Sequence, residues 1–374
     1  MEKLYDIKNI ESELKLIYKK AKNIDKNIQN EHLNKIIFFT NLFRILGIFT
    51  MWYSVNIFTV ICLSLYIVAQ WTIIAHHSCH GGYDSINKYH NRFSFALKNR
   101  RYFDWFDWIL PEAWNYEHNN KHHYNLGEKN EDPDLLEDNM EFIRKSNMPM
   151  IFKYLIVFII ALTWRWLYYP SNSYKEYIIK QYEQQNNIIV KDGKQICMIY
   201  TPLLNKNYWF SFTNFITNVI GPYFIYNFIL LPLPLLVFSK IYFYNALLNL
   251  ILAELLANIH TFFIIATNHS GNDVYRFSTN CDLTNKGEFY IRQILGSVNY
   301  NNGNDFIDYL HGFLNYQIEH HVFPDLSMYA YQQIAPDVKK ICNKYNIQYI
   351  QENVFIRVYK TIQMMVGNSN MKII

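Results

Sequence analysis

Three short clusters carry most of the 13 histidines of this 374-residue chain. They read His76-His77-Ser78-Cys79-His80, His118-Asn119-Asn120-Lys121-His122-His123 and Gln317-Ile318-Glu319-His320-His321. Neutral imidazole is the commonest protein ligand for first-row metals and suits iron as well as zinc. His76 and His80 are four apart, so on a helix they share one face and both can reach one ion. His118 and His122 repeat that spacing, and His123 points to an adjacent face, so one helix can feed two centres. His77 reaches the same region only where the helix breaks, and Gly81-Gly82 follow to break it. His320 and His321 supply adjacent ligands from the C-terminal side. The absence of H-E-x-x-H disfavours a zinc protease, and the absence of E-x-x-H disfavours a soluble carboxylate di-iron bundle. What remains is a site rich in neutral histidine, with enough ligands for two metals.

Other polar residues read less sharply. His260 and His269 fall near the end of the last apolar run, and His311 six residues before Gln317. His260 and His311 read more simply as hydrogen-bonded structural residues, and His32 and His90 as surface histidines. In the acidic stretch after the second cluster, Asp132 and Asp134 are candidates to orient imidazole N–H groups. Glu128, Glu131, Glu137 and Asp138 read as a solvated loop or helix start. Glu254 is ionisable inside an apolar run, which flags either function or a bond to a neighbouring helix. Five scattered cysteines without C-x-x-C spacing argue against a disulfide framework and a cysteine zinc site, and Cys79 reads as a small buried filler.

The elements that must position the clusters are apolar. Hydrophobic residues make up 51% of the chain and aromatics 18%, yet mean hydropathy is only −0.11, so a polar part offsets the apolar runs. The net charge of +4 is too small and dispersed to suggest nucleic acid. A span needs roughly 20 residues, so the apolar stretch 36–76 predicts two back-to-back spans, 36–55 and 57–76, turning near Ser54-Val55-Asn56. Arg44 weakens the first. Two further spans are predicted at 219–238 and 241–266, and 150–169 as a helix lying in the interface or partly inserted. Residues 171–207 read as a cytoplasmic insertion or lid. Residues 1–35 read as a Lys-rich cytoplasmic segment without signal-peptide character, and 336–374 as a cytoplasmic C-terminal segment. The predicted fold is an all-α integral membrane protein: about four transmembrane helices in two hairpins, with a cytoplasmic helical cap over the metal site and a main domain of 36–335.

The order H-x-x-x-H, H-x-x-x-H-H, Q-x-x-H-H resembles the membrane-bound fatty acid desaturase family. The stretches Trp114-Asn115-Tyr116-Glu117-His118 through Asp132-Pro133-Asp134, and Leu314-Asn315-Tyr316-Gln317 through Val322-Phe323-Pro324, carry the likeness most strongly. Gln317 in place of the first histidine of the third box is similar to front-end and related acyl-lipid desaturases. The resemblance implies a di-iron, oxygen-dependent enzyme that removes two hydrogens from neighbouring methylenes of an acyl chain. It implies His76, His80, His118, His122, His123, His320 and His321 as iron ligands, His269 as an additional one, and Gln317 as a ligand or a partner of metal-bound water. His77 is retained as a further candidate ligand from its place in the first box.

Front-end desaturases often carry a fused cytochrome b5 domain with an H-P-G-G motif. That motif is absent, so the expected electron donor is a separate protein such as cytochrome b5 or ferredoxin with its reductase. The expected substrate is an acyl-CoA or acyl-lipid. The expected location is an integral membrane position with a cytoplasmic active site, in the endoplasmic reticulum if the source is eukaryotic. Arg100, Arg101, Lys153 and Arg165 are candidates to meet a head-group phosphate. A hydroxylase on the same scaffold is the near rival. A metal-binding transport protein or an inactive scaffold is the rival from another class, disfavoured because the histidines gather at span ends rather than along a path.

Overall fold

A computed structural model describes residues 5–190 and 209–374. Cys197 and the predicted lid beyond residue 190 lie outside the described residues. The described chain is mostly helical, and its strands are two-residue pairs only. Four helices are long and apolar enough to cross a membrane: α2 (Lys26–Thr50), α3 (Ile57–Cys79), α7 (Phe212–Val237) and α8 (Lys240–Ala266). Their numbering leaves α1 for Ile7–Lys22, α4 for Pro111–Trp114 with its continuation Asn115–His122, α5 for Met150–Leu162 and α6 for Trp164–Asn186. After the spans come α9 (Lys286–Leu295), α10 (Gln317–Val322), α11 (Met328–Lys344) and α12 (Val354–Met365).

Short polar side chains start these helices by accepting from the otherwise unpaired first-turn N–H groups. Asp25 caps α2, Asn56 caps α3 with 2.9 Å to Thr59 N, and Ser239 caps α8. The first hairpin closes through Gly47, where an added Cβ would lie 2.6 Å from the Leu63 side chain. Small residues allow such close helix approach in a bilayer. Asn249 of α8 then ties the turn, donating to Met51 O and Ser54 O at 2.8 Å each and accepting from Asn56 N at 3.1 Å. The apolar window of α3 is 67% buried and that of α2 only 22%, so α3 runs through the centre and α2 faces outward.

Several expected boundaries shift. The first span helix begins at Lys26 rather than 36, because Asp25 starts it and nothing between interrupts it. The N-terminal segment is folded onto the rest of the chain. In α1, Ile7, Ile10, Leu14, Ile17 and Ala21 are buried at heptad spacing, and the helix packs on α9 and α11. Residue 336 falls inside α11, which packs under the third box, so part of the expected C-terminal segment packs with the box rather than beyond it. α5 and α6 meet at a 74° bend, the geometry of a broken or re-entrant span.

Candidate metal centre

The first box sits at the cytoplasm-facing end predicted for α3. The α-helical winding gives way to π-helix over Gln70–Ala75, and the last turn, His76–Cys79, is α-helical. Gly81, in the left-handed region at φ +85°, ends it. The second box lies on the π-helical stretch Asn115–His122, where His123 N donates to His118 O across five residues. π-Turns inside helices gather at functional sites. Here the wider winding lets His118, His122 and His123 each reach a different set of neighbours. The third box occupies α10. Glu319, buried within it, accepts from Asn299 Nδ2 at 2.8 Å and Tyr349 OH at 2.9 Å. Asn299 Oδ1 in turn accepts from Ile318 N at 2.8 Å, which ties the start of the box to Asn299.

The three boxes converge. Ligand atoms of His76, His80, His118 and His320 form one group, and those of His122, His269 and His321 a second, each within 4.8 Å. His123 stands between them, grouped with His320 and His321, and Asp134 groups with His118 and His122. His77 stands outside all of these groups among the described residues. Its Nδ1 donates to Ile73 O at 2.9 Å. Gln317 does not point at the first group. Its amide lies 2.9 Å from His269 Nε2.

The donor chemistry fits a metal. All members of both groups are buried except His269, which is partly so. Buried polar atoms are normally hydrogen-bonded. Yet His80 Nε2, both ring nitrogens of His118 and of His123, His321 Nε2 and Gln317 Oε1 have no protein partner. His76 Nε2 and His320 Nε2 face each other at 2.9 Å. Burial, then the neighbouring imidazoles, hold His118, His123, His320 and His321 far below the ordinary histidine range, and His269 is lowered to about 3 by burial first. Burial thus favours the neutral form of these rings, the form a metal ligand needs.

The second group has its tautomers set from behind. His122 Nδ1 donates to Asp132 at 2.8 Å, His321 Nδ1 to Gln293 Oε1 at 3.0 Å, and His269 Nδ1 to Gly296 O at 3.0 Å. In a neutral ring each of these bonds leaves the lone pair on Nε2. Burial pulls the His122 pKa down, but the Asp132 charge and hydrogen bond, with Asp134, raise it above its ordinary value. Asp134 is raised to about 6, by burial first, and Glu117 well above the carboxylate range by burial and then Asp134. Gln293 and Asn299 had no signal in the sequence, and Glu117 stood in a motif stretch without a role of its own. Each is a single polar residue whose neighbours are distant in the chain.

Some sequence expectations are overturned. His32 and His90 are buried rather than on the surface, His90 bonded to Ser78 Oγ at 3.1 Å. Glu128 and Glu137 are buried and paired with Arg292 and Arg144 rather than solvated. None of the four candidate phosphate-binding cations is free. Arg165 pairs with Asp107 and Glu254, Arg100 with Asp104, Arg101 donates to the carbonyls of Asn218 and Val219, and Lys153 to that of Arg144. Cys79 is buried filler, as read. His260 donates to Leu310 O at 2.6 Å, a structural role.

The fatty acid desaturase family model matches residues 36–353. The chain belongs to the fatty acid desaturase family. A NADPH-dependent stearoyl-CoA 9-desaturase of Mycobacterium tuberculosis is 31% identical over 30% of this chain and 26% of its own length. Delta(5) fatty acid desaturase A of Dictyostelium discoideum is 24% identical over 63% of this chain and 48% of its own. An acyl-lipid (9-3)-desaturase of Physcomitrium patens is 34% identical over 26% of this chain and 17% of its own. The matched segments thus span less than half of each of these relatives. No solved structure matches significantly.

A cleft lies against both groups. It is walled by Trp71, Trp114, Trp164, Tyr169 and Leu314, and it touches His76, His118, His122 and His269. From the other side, a more polar cleft bordered by Arg92, Asn119, Lys286 and Asp325 reaches His80 and His123.

Proposed function

We propose that this chain is an oxygen-dependent fatty acyl desaturase with two iron ions, an integral membrane enzyme whose site faces the cytoplasm. The observation that carries this reading is the set of buried, unpartnered ring nitrogens from three sequence-distant boxes beside an aromatic cleft. His76, His80, His118 and His320 would hold one ion and His122, His269 and His321 the other, with His123 able to serve either. When bound, the iron pair supplies the oxygen-dependent removal of two hydrogens from neighbouring methylenes, chemistry that acid–base side chains cannot do. The chain's own residues supply the rest. Asp132, Gln293 and the Gly296 carbonyl aim the three rings of the second group. The indole and phenol walls close on a cleft of about 30 Å³ beside the histidines and exclude bulk water; an acyl chain would enter as these side chains part, and the walls would then set which pair of carbons faces the histidines. The acyl group arrives as a CoA ester or an acyl-lipid, and electrons come from a separate cytochrome b5 or ferredoxin with its reductase. In a eukaryote the membrane is that of the endoplasmic reticulum.

The test is expression in a host with its own cytochrome b5 and reductase, with total lipids profiled by mass spectrometry against a His122→Ala, His123→Ala control. The expected result is a new acyl species lighter than its precursor by two hydrogens and absent in the control. A species heavier by one oxygen would replace desaturation with hydroxylation. Unchanged lipids together with no iron in the purified protein would overturn the reading as an enzyme.

A further inference from the structure

Helix α12 lies beyond residues 36–353, the part matched to the family, and it carries its charges on the inside. Arg357 is 0% exposed. It donates to Asp273 at 2.7 and 2.8 Å, to Glu352 at 3.3 Å and to Ser270 O at 2.5 Å. Lys360 reaches Asp273 and Glu352 at 2.8 Å. Two cations are thus matched by two carboxylates within the protein. On the opposite face Phe355 and Tyr359 are 68% and 63% exposed, with Ile356 between them. A helix packed on a core under water shows the reverse pattern.

Helix α5 repeats the inversion. Lys153 is buried, donating to Arg144 O at 3.1 Å and to Val366 O, just after α12, at 3.5 Å. Ile151, Leu155 and Phe158 are exposed on its outer face. Tyr154 and Gln363 brace the two helices at 3.2 Å. Phe355 lies 6.3 Å, ring to ring, from Phe263 in the last turn of span α8, and α5 packs on α8 as well. The two apolar faces are therefore continuous with a membrane-crossing helix. Soluble surfaces rarely leave so much contiguous aromatic and aliphatic area uncovered.

We propose that α12, with α5, forms a platform that rests in the interface of the bilayer the spans cross, so that the C-terminal segment is membrane-seated rather than free in the cytoplasm. The occupant of this face is lipid. Interfacial helices commonly add Lys and Arg that attract anionic head groups. Here both cations of α12 are already neutralised, so the attachment is apolar and does not depend on lipid charge. The inference needs only the spans and stands whether or not the chain desaturates lipids.

Full-length protein in lipid nanodiscs tests this directly. Cys197 and Cys281 are replaced by Ser, the buried Cys62, Cys79 and Cys342 are kept, and one nitroxide is attached through Tyr359→Cys. Phe158→Cys on α5 and Leu16→Cys, exposed on α1, are labelled for comparison. The expected result is a severalfold higher ratio of oxygen to water-soluble nickel collisions at Tyr359→Cys than at Leu16→Cys, in neutral and anionic discs alike. If Tyr359→Cys does not fold, Phe355→Cys reports on the same face. A Tyr359→Cys label as open to nickel as that at Leu16→Cys would overturn the proposal. So would an oxygen preference present only in anionic discs, or spin–spin broadening between copies without an oxygen preference.

Discussion

Two clusters of buried polar side chains lie near each other in this molecule, and they differ in one respect. Around Glu254, in span α8, every charge is answered. Glu254 accepts from Trp108, Arg165 and Trp166 on one oxygen and from Tyr223 at 2.7 Å on the other. Arg165 also holds both oxygens of Asp107 at 2.6 Å. Around the histidine boxes, ring nitrogen after ring nitrogen is buried without a protein partner. A buried charge met by an opposite charge holds elements together, here the bend between α5 and α6, the Asp107 loop and two spans. A buried group left unpaired costs free energy unless a ligand completes it. The difference separates a brace from a binding site without reference to any motif, and it answers the question that Glu254 posed as an ionisable residue in a span.

The comparison breaks most visibly at the site. His123 has no protein partner on either nitrogen and stands between the two groups. His123→Ala is expected to leave the fold and expression intact, to lower bound iron measured by elemental analysis, and to reduce new unsaturated lipid to background. Loss of folding instead would mean that this ring is a brace after all. In the other cluster the outcome reverses. Arg165→Leu leaves Asp107 and Glu254 buried without their countercharge, a change worth about 3–5 kcal/mol. The expected result is a large drop in the thermal midpoint in detergent, with iron per folded molecule unchanged. Adding Asp107→Asn and Glu254→Gln to that background recovers most of the midpoint. An unchanged midpoint for Arg165→Leu would remove the brace.

The site was readable in the sequence to the extent that it is local. Spacing within each box placed His76 with His80, and long apolar runs placed the spans, because both signals lie within one helix. What escaped depends on contacts between distant segments. Gln293 orients His321 from 28 residues away. His32 and His90 look like surface residues until α11 and the loop after α3 cover them. The burial of α1 was readable in principle, since Ile7, Ile10, Leu14 and Ile17 keep helical spacing, but its Lys content masked the pattern. The π winding that spreads His118, His122 and His123 among different neighbours leaves no trace in composition.

His90 sharpens the comparison as an intermediate case: it is buried, and its Nδ1 is bonded to Ser78 Oγ. Burial lowers its pKa from 6.5 to about 4. A depressed base binds fewer protons folded than unfolded, so its effect is absent above about pH 6.5 and destabilises progressively as the pH falls toward 4. At about 1.4 kcal/mol per pKa unit the full window is worth roughly 3 kcal/mol. His90→Phe, in the iron-loaded protein, is expected to shallow the fall of the thermal midpoint between pH 6.5 and 4 while leaving it unchanged at pH 7.5. Parallel pH profiles for parent and variant would show that His90 takes up its proton equally in the folded and unfolded chain, and the lowering by burial would fall.

The smallest effect probes what stands behind the unpaired nitrogens. Asp132 does not need to touch a metal to matter, because it fixes the His122 tautomer and also accepts from Gly127 N at 2.7 Å. Asp132→Asn keeps the shape and removes the charge. An Asn oxygen turned to His122 Nδ1 keeps the ring aimed at the loss of the Gly127 N–H bond, and the imidazole becomes a weaker donor to the ion. Losing such a partner typically costs 10- to 100-fold in metal affinity. Chelator titration of the purified protein should show a loss of roughly that size for one class of bound iron only. The first group does not include His122, so its ion should titrate as in the parent. Equal weakening of both classes would mean that the two histidine groups act as one site, and the division drawn from their ligand atoms would fall.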